Sequence, residues 1–317
     1  MKKHNLGSSD IEVPSFAFGG NVFGWTIDEN TSFRLLDGLM DAGLNFIDTA
    51  DVYSKWVPGN KGGESETIIG NWLKKTGGRD KVIIATKVGM EMAHDKTGLS
   101  KTWIKQAVED SLQRLQTDYI DLYQSHKDDA DTPMEETLSA YQELVNEGKV
   151  RIIGTSNMSA QRIAVALKTS KEHGFPAYQT LQPEYNLYNR EGYEKELEPF
   201  CHENNLGVIS YSSLASGFLT GKYRSEADLS KSQRGKGINK YLDDRGFKIL
   251  KALDEVSNQL NTTPASVSLA WLMNRPGLTA PIASATSLEQ LQDIIKATEL
   301  DLDSDSIHLL NEASAWE

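Results

Sequence analysis

Eight short apolar runs, each followed by a longer stretch of helical period, constrain this chain more than any other feature. The runs fall at 16–20, 45–48, 82–87, 119–126, 150–156, 180–186, 207–214 and 279–285. Alternation of strand and helix builds a parallel sheet. Eight such units close a (β/α)8 TIM barrel, which takes roughly 250 residues. The 317 residues therefore read as one barrel domain, 1–317, with material added at its ends. Ahead of the first run, 2–6 and 11–14 flank Gly7-Ser8-Ser9-Asp10, a β-hairpin able to plug the barrel floor. Beyond the minimal unit lie a polar loop at 222–240, a helix from Asp243 to near Leu260, and a C-terminal helix at 303–315.

Helix boundaries carry local signals. Thr132-Pro133-Met134-Glu135 predicts a capping box with proline at the first helical position. Thr263-Pro264 opens a helix in the same way, and His173-Gly174 reads as a stop.

Charge and cysteine narrow the partners. With 45 Asp plus Glu against 33 Lys plus Arg, the chain carries −12 and would repel phosphate backbones, which argues against nucleic acid. Cys201 is the single cysteine, so neither an internal disulfide nor a thiolate metal cluster is expected, and a reducing cytoplasm is the natural setting. The start, Met1-Lys2-Lys3-His4-Asn5, is basic but lacks the apolar stretch of a signal peptide. No run approaches the roughly 18 apolar residues of a membrane span.

Barrel active sites gather at the C-terminal ends of the strands. There the runs place Asp48, with Tyr53 five residues on, then Lys87, His126, Ser156-Asn157, Gln182 and Tyr211. Reducing a carbonyl requires hydride on carbon and a proton on oxygen. A tyrosine with an ordinary pKa of roughly 10 is a poor acid, and a lysine ammonium beside it is expected to pull that value down. A carboxylate would hold the ammonium, and an imidazole would orient the substrate oxygen. Singly, each residue has a plain structural explanation: a turn or cap for Asp48, solvent for Lys87, a solvated loop for His126, rim packing for the tyrosines. Their joint placement at strand ends is what favours chemistry.

The chain resembles the aldo-keto reductase superfamily over nearly its whole length, in the bacterial-type branch related to potassium-channel β-subunits. The residues that carry the resemblance are Asp48-Thr49-Ala50-Asp51-Val52-Tyr53, Ala85-Thr86-Lys87, Gln124-Ser125-His126, Gly154-Thr155-Ser156-Asn157, Gln182-Pro183-Glu184-Tyr185-Asn186 and the stretch from Tyr211 to Lys222. It implies Tyr53 as proton donor, Lys87 and Asp48 as its tuning pair, and His126 as the group that orients the substrate. It implies that Tyr211 stacks on a nicotinamide whose carboxamide is held by Ser156, Asn157 and Gln182. Ser212, Ser213, Leu214, Ser216, Gly217, Leu219 and Lys222 would wrap the pyrophosphate. Thr286, Ser287, Gln290 and Asp293 would take the adenosine end. The family habit is NADP(H). Because a cation frequent in this last segment is missing and Ile294 replaces a common Asn, NAD(H) stays open. Ser287 and Gln290 also form a capping-box pattern of their own.

Phe23, Trp25 and Trp56 are expected to form an apolar substrate wall beside Tyr53 and His126. Trp316 reads as an anchor for the last helix. The loop from 222 to 245 holds seven basic residues against four acidic, a basic island fit either for cofactor phosphates or for solvent. The leading expectation is an enzyme acting on a small carbonyl or sugar substrate. Two others remain: a nicotinamide-binding, slow-turnover regulatory subunit of a membrane channel, and a phosphosugar lyase or isomerase with Lys87 as Schiff base. The substrate and the oligomeric state are not encoded in residue types.

Overall fold

The computed structural model describes residues 2–316, with the side chain of Lys236 outside the description. Eight parallel strands close a barrel: β3 (Ala17–Gly19), β4 (Phe46–Asp48), β5 (Ile83–Val88), β6 (Ile120–Ser125), β7 (Val150–Ser156), β8 (Thr180–Gln182), β9 (Gly207–Ser210) and β10 (Leu278–Ala283). They pair in sequence order, and β10 closes the ring against both β9 and β3. The expected (β/α)8 architecture is present, with the hairpin and the additional C-terminal helices.

Two strands, β8 and β9, stop four residues short of the apolar runs that predict them. In β8, Pro183 lacks the N–H that would continue the ladder. In β9, Ser212 has a positive φ of 56°, and the backbone turns away directly after Tyr211. An isolated bridge between Glu184 and Tyr211 is all that continues the pairing.

Side chains on a strand alternate between faces, and this divides the interior in two. Phe46, Ala85, Leu122, Ile209, Ala280 and Ile282 fill the barrel, while Phe18, Ile47, Ile84, Tyr123 and Ile153 face the helices in a second, larger core. The hairpin of β1 (Lys3–Asn5) and β2 (Glu12–Pro14) adds Leu6, Ile11 and Val13 to the inner cluster from below. Gly7, at φ +60°, permits the close seating. A Cβ there would stand 2.1 Å from the Gln179 carbonyl oxygen.

Seven of the α-helices start on side-chain caps: Asp28, Ser100, Ser159, Asp243, Thr263, Ser287 and Asp303 each accept the backbone N–H three residues on. Each cap contributes about 1 kcal/mol. The Thr132 box does not form. Helix Met134–Asn146 starts after Pro133 without a side-chain cap, because the Thr132 hydroxyl donates to Asp129 Oδ2 at 2.7 Å. The stop at Gly174 forms as expected, in the left-handed conformation. Helix Pro264–Met273 is apolar on nearly every side and is sandwiched between the barrel and its neighbouring helices, with Trp271 donating to Asn311 of the last helix, Ser304–Ala313. Trp316 does anchor this tail: its indole N–H donates to Glu194 at 3.0 Å.

No helix among the described residues is long and apolar enough to cross a membrane.

Candidate active site

The alternation that places Phe46 and Ala85 inside the barrel brings Asp48, Lys87, Gln124, Ser156 and Gln182 into the layer above them. Strand register sets their heights: Asp48 pairs with Ala85, Lys87 with Gln124 and Ser156 with Gln182. Here the apolar packing gives way to a fully buried hydrogen-bond network.

Lys87 is its centre. The ammonium is completely buried and donates to Asp48 Oδ2 at 2.7 Å, to the Thr49 carbonyl at 2.8 Å and to the Tyr53 hydroxyl at 3.0 Å, so its three donors are all used. Asp48 is held from the opposite side by Gln182 Nε2 at 2.9 Å and Gln124 Nε2 at 3.5 Å. Gln124 is a site residue that the sequence reading missed. Its signal was its position two residues before His126, on the same inward face.

Burial works against the Lys87 ammonium, but Asp48 and then Tyr53 outweigh it, and its pKa lies above the ordinary lysine value. Tyr53 behaves differently from the expectation. Burial pushes its hydroxyl up to about 12, and the Lys87 ammonium offsets only part of that rise. Tyr53 is consequently a protonated phenol throughout the neutral range. The His126 imidazole sits with its ring centroid 6.0 Å from that of Tyr53. Burial, reinforced by Lys87 and Lys127, depresses its pKa well below the usual value, so the ring is neutral. Its Nδ1 is buried with no hydrogen-bond partner among the described residues.

On one side of this group lies a polar row. Asn157, at φ +51°, donates to the His126 carbonyl at 3.0 Å and accepts from the Tyr211 hydroxyl at 2.7 Å. The Ser156 hydroxyl donates to the Gln182 carbonyl at 2.8 Å. After β9, Ser212, Ala215, Ser216 and Gly217 all take positive φ, which curls the backbone into a concave turn of the kind that receives anions. Lys222 lies over this turn: a Cβ on Gly217 would stand 3.4 Å from its Nζ. A tight backbone curl with a lysine above it suits a dinucleotide's pyrophosphate.

At β10's exit, Ser287 caps helix Leu288–Glu299, accepting the Gln290 N–H at 3.3 Å. The reciprocal half of the expected capping box is displaced by one residue. Gln290 Oε1 accepts from the N–H and hydroxyl of Thr286, at 2.9 and 3.1 Å, instead of from the Ser287 N–H. Asp293 is half-buried, and burial raises its carboxyl pKa.

The expected aromatic wall is only partly assembled. Trp25 meets Trp56 edge-on at 5.4 Å, and Trp56 meets Tyr53 at 6.2 Å. Phe23 is not part of it. Its ring is fully buried and stacks on Phe18 at 5.5 Å, in the layer between barrel and helices. The chain's turn after β3 sends Phe23 outward and leaves Trp25 at the rim.

A second buried charge cluster lies behind the site. Glu66 accepts from Thr86 at 2.5 Å and from Arg114 Nε at 2.7 Å. Asp51 is buried close by, with neither carboxyl oxygen partnered among the described residues; burial, and then Glu66, raise its pKa well above the ordinary aspartate value. Among the described residues, no group of three or more His, Cys, Asp or Glu is arranged to hold a metal ion.

Comparison with known proteins agrees with this picture. The sequence profile of the Aldo/keto reductase family matches residues 15–315. The chain is 37% identical to the uncharacterized oxidoreductase YrpG of Bacillus subtilis (strain 168), over 98% of this chain and 95% of that protein. It is 33% identical to a probable voltage-gated potassium channel subunit beta of Arabidopsis thaliana, covering 95% and 92%. It is also 33% identical to the aldo-keto reductase YhdN of Bacillus subtilis (strain 168), covering 95% and 88%.

Proposed function

The chain belongs to the aldo/keto reductase family, and on that premise we propose that it reduces aldehydes or ketones to alcohols, with NADPH preferred and NADH accepted. The observation that carries this reading is the buried ammonium of Lys87 bonded at once to Asp48 and to the Tyr53 hydroxyl. The nicotinamide, when bound, supplies hydride to the carbonyl carbon. Tyr53 gives its proton to the carbonyl oxygen, and the O–H bond of the phenol breaks as that of the alcohol forms. Lys87 stabilises the phenolate left behind. Without it, a hydroxyl held near 12 by burial would be a still weaker acid. Asp48 keeps the ammonium in place and compensates its charge. His126, neutral under working conditions, can donate one N–H to the substrate oxygen without repelling the Lys87 charge.

The remaining geometry supports a place for the cofactor. Tyr211 offers its ring face, with Ser156, Asn157 and Gln182 beside it for the carboxamide. Ser212, Ser213, Leu214, Ser216, Gly217, Leu219 and Lys222 form the curl for the pyrophosphate. Thr286, Ser287, Gln290 and Asp293 are assigned the adenosine end, where a helix N-terminus favours a phosphate. Trp25 and Trp56 form the substrate wall. A cytoplasmic setting suits the lone thiol of Cys201, which is buried and held protonated by a pKa near 12.

A panel of aldehydes, ketones and sugars, followed by nicotinamide absorbance with NADPH and NADH, tests the reading. Turnover of at least one carbonyl class is expected. No turnover of any, with both cofactors bound, would replace it with the second reading, a redox-sensing regulatory subunit. That alternative is consistent with the likeness to a protein named as a probable voltage-gated potassium channel subunit beta.

A further inference from the structure

The two oxygens of Asp48 have different partners. Oδ2 accepts from Lys87 at 2.7 Å and lies 3.4 Å from the Tyr53 hydroxyl, so it faces the proposed acid. Oδ1 is held from β8 and β6, by the Gln182 amide at 2.9 Å and the Gln124 amide at 3.5 Å. The two glutamines also meet each other, with Gln182 Nε2 donating to Gln124 Oε1 at 3.4 Å. Gln182 carries a second proposed task, the cofactor carboxamide. Among the described residues, the Gln124 side chain has no hydrogen-bond partners besides Asp48 and Gln182.

The barrel is built around this side chain. Gln124 is completely buried and pairs in register with Lys87 on the neighbouring strand, so the two project inward at one height. On its other flank β7 carries Gly154. A Cβ there would stand 3.3 Å from Gln124 Cγ, 3.0 Å from a Leu122 methyl and 2.2 Å from Thr180 Oγ1. Only glycine fits, and the space it leaves takes the stem of Gln124. A buried amide costs free energy unless it is bonded. A leucine or methionine would fill the same volume without that cost, so the amide is there for what it bonds.

We infer that Gln124 is a positioning residue for the reduction: it fixes the Asp48 carboxylate so that Oδ2 stays on Lys87 and the Tyr53 proton is left for the substrate. The inference deepens the reductase reading and rests on it. A carboxylate turns about its last bond, and one held through Oδ2 alone would be free to swing towards the Tyr53 hydroxyl, 3.4 Å away. Hydrogen bonds from a hydroxyl to a carboxylate are short and strong, so Asp48 would then compete with the substrate oxygen for the proton. Amides on Oδ1 oppose that turn and draw negative charge away from Oδ2. The charge matters to Tyr53. Burial raises its pKa most, Lys87 lowers it, and Asp48 adds to the rise. Gln124 therefore acts on Tyr53 through Asp48.

Gln124→Met keeps the stem and the volume and removes the amide. Its kcat for a good aldehyde should fall about ten-fold, the scale of one hydrogen bond to a charged group. KM for the aldehyde and the affinity for NADPH should stay within roughly two-fold of wild type, because a transition-state interaction is lost and uniform binding is not. Gln124→Glu gives a readout that a packing role would not move. Lys87 keeps Asp48 ionised, so the introduced carboxyl, buried beside a carboxylate, has a raised pKa. Protonated, it donates to Asp48 Oδ1 in place of the amide; ionised, it repels Asp48. Its kcat should approach wild type near about pH 5.5 and fall by about ten-fold relative to wild type towards about pH 9. Without turnover, the NMR signal of the Lys87 ammonium should shift in Gln124→Met; isotope-labelled lysine and the loss of the signal in Lys87→Met identify it. Should Gln124→Met fail to fold, the pH profile of Gln124→Glu decides. An unchanged kcat in Gln124→Met, a loss carried by KM or cofactor affinity, or a Gln124→Glu deficit independent of pH would overturn the inference and leave Gln124 as packing. If wild type reduces no carbonyl yet the Lys87 signal moves in Gln124→Met, the reductase reading fails while the hold on Asp48 stands.

Discussion

Lys87 donates to the Tyr53 hydroxyl at 3.0 Å across 34 residues of sequence, and the same ammonium holds Asp48 at 2.7 Å. Tyr53→Phe keeps the ring and removes the hydroxyl. Turnover of a good carbonyl substrate should fall by about 10²-fold or more, the usual scale of general acid–base help, with cofactor affinity retained. A variant that reduces substrate at the wild-type rate would remove Tyr53 from the chemistry.

Lys87→Met acts on two properties at once. It strips the cation from beside Tyr53, and it leaves the Asp48 carboxylate buried without its partner, a change that typically costs about 3–5 kcal/mol. The variant should melt earlier than Tyr53→Phe. The rate losses of Lys87→Met, Tyr53→Phe and the double variant should be similar, as for residues that act as a unit. Fully additive losses in kcat would argue that the two act independently.

Asp51 gives a prediction about stability and pH. Its folded pKa is raised by burial above the unfolded value of about 3.9. The unfolded chain therefore releases this proton more readily, and the native state loses stability as pH climbs from about 4 through the raised value. Asp51→Asn escapes that loss. Its melting temperature should exceed wild type near pH 7.5, by roughly 2–4 °C for each kcal/mol recovered, and the gain should shrink as pH falls towards 4. A gain independent of pH, or a loss at pH 7.5, would show that burial does not raise the Asp51 pKa.

Cofactor choice is tested at Gln290. With only hydroxyls, amides and the Gln290 side chain proposed at the 2′-phosphate, and with Gln290 Oε1 already taken by Thr286, NADPH should be favoured over NADH by about 1–3 kcal/mol. Gln290→Arg should widen the gap through a planar cation. Quenching of tryptophan fluorescence by each cofactor measures both. Tighter NADH binding by wild type, with no NADPH gain in the variant, would move the phosphate elsewhere.

Where the sequence foretold the site, it did so through period two. Asp48, Lys87 and Gln182 lie on the inward face of their strands, in step with Phe46 and Ala85 below them, and a strand's alternation is written in its residues. The same logic reached His126. What it could not reach depended on distances across the fold. Tyr53 and Lys87 are close enough to interact as expected, yet the rise in the tyrosine's pKa comes from burial, which a list of neighbours does not reveal. Phe23 and Trp25 are two residues apart, but the turn between them sends one ring to the outer core and the other to the rim. Thr132 and Gln290 had correct capping patterns and bonded elsewhere, because Asp129 and Thr286 competed for them. Arg234 is one of seven cations in the loop sequence, and only the fold brings its guanidinium over the Trp25 ring, 5.0 Å from the centroid.

The closure of β10 onto β3 has a consequence for how the protein is made. Gly19 and Ser284, bonded across that seam at 2.7 Å, are 265 residues apart, an interval that takes on the order of tens of seconds to synthesise. All four residues proposed for the chemistry leave the ribosome in the first half of the chain, and the strand that seals the wall emerges near its end. For that interval β3 presents an unpaired edge, the kind of surface that recruits other chains. The growing polypeptide thus carries the strands of the candidate site in an open sheet until β10 (Leu278–Ala283) has been made.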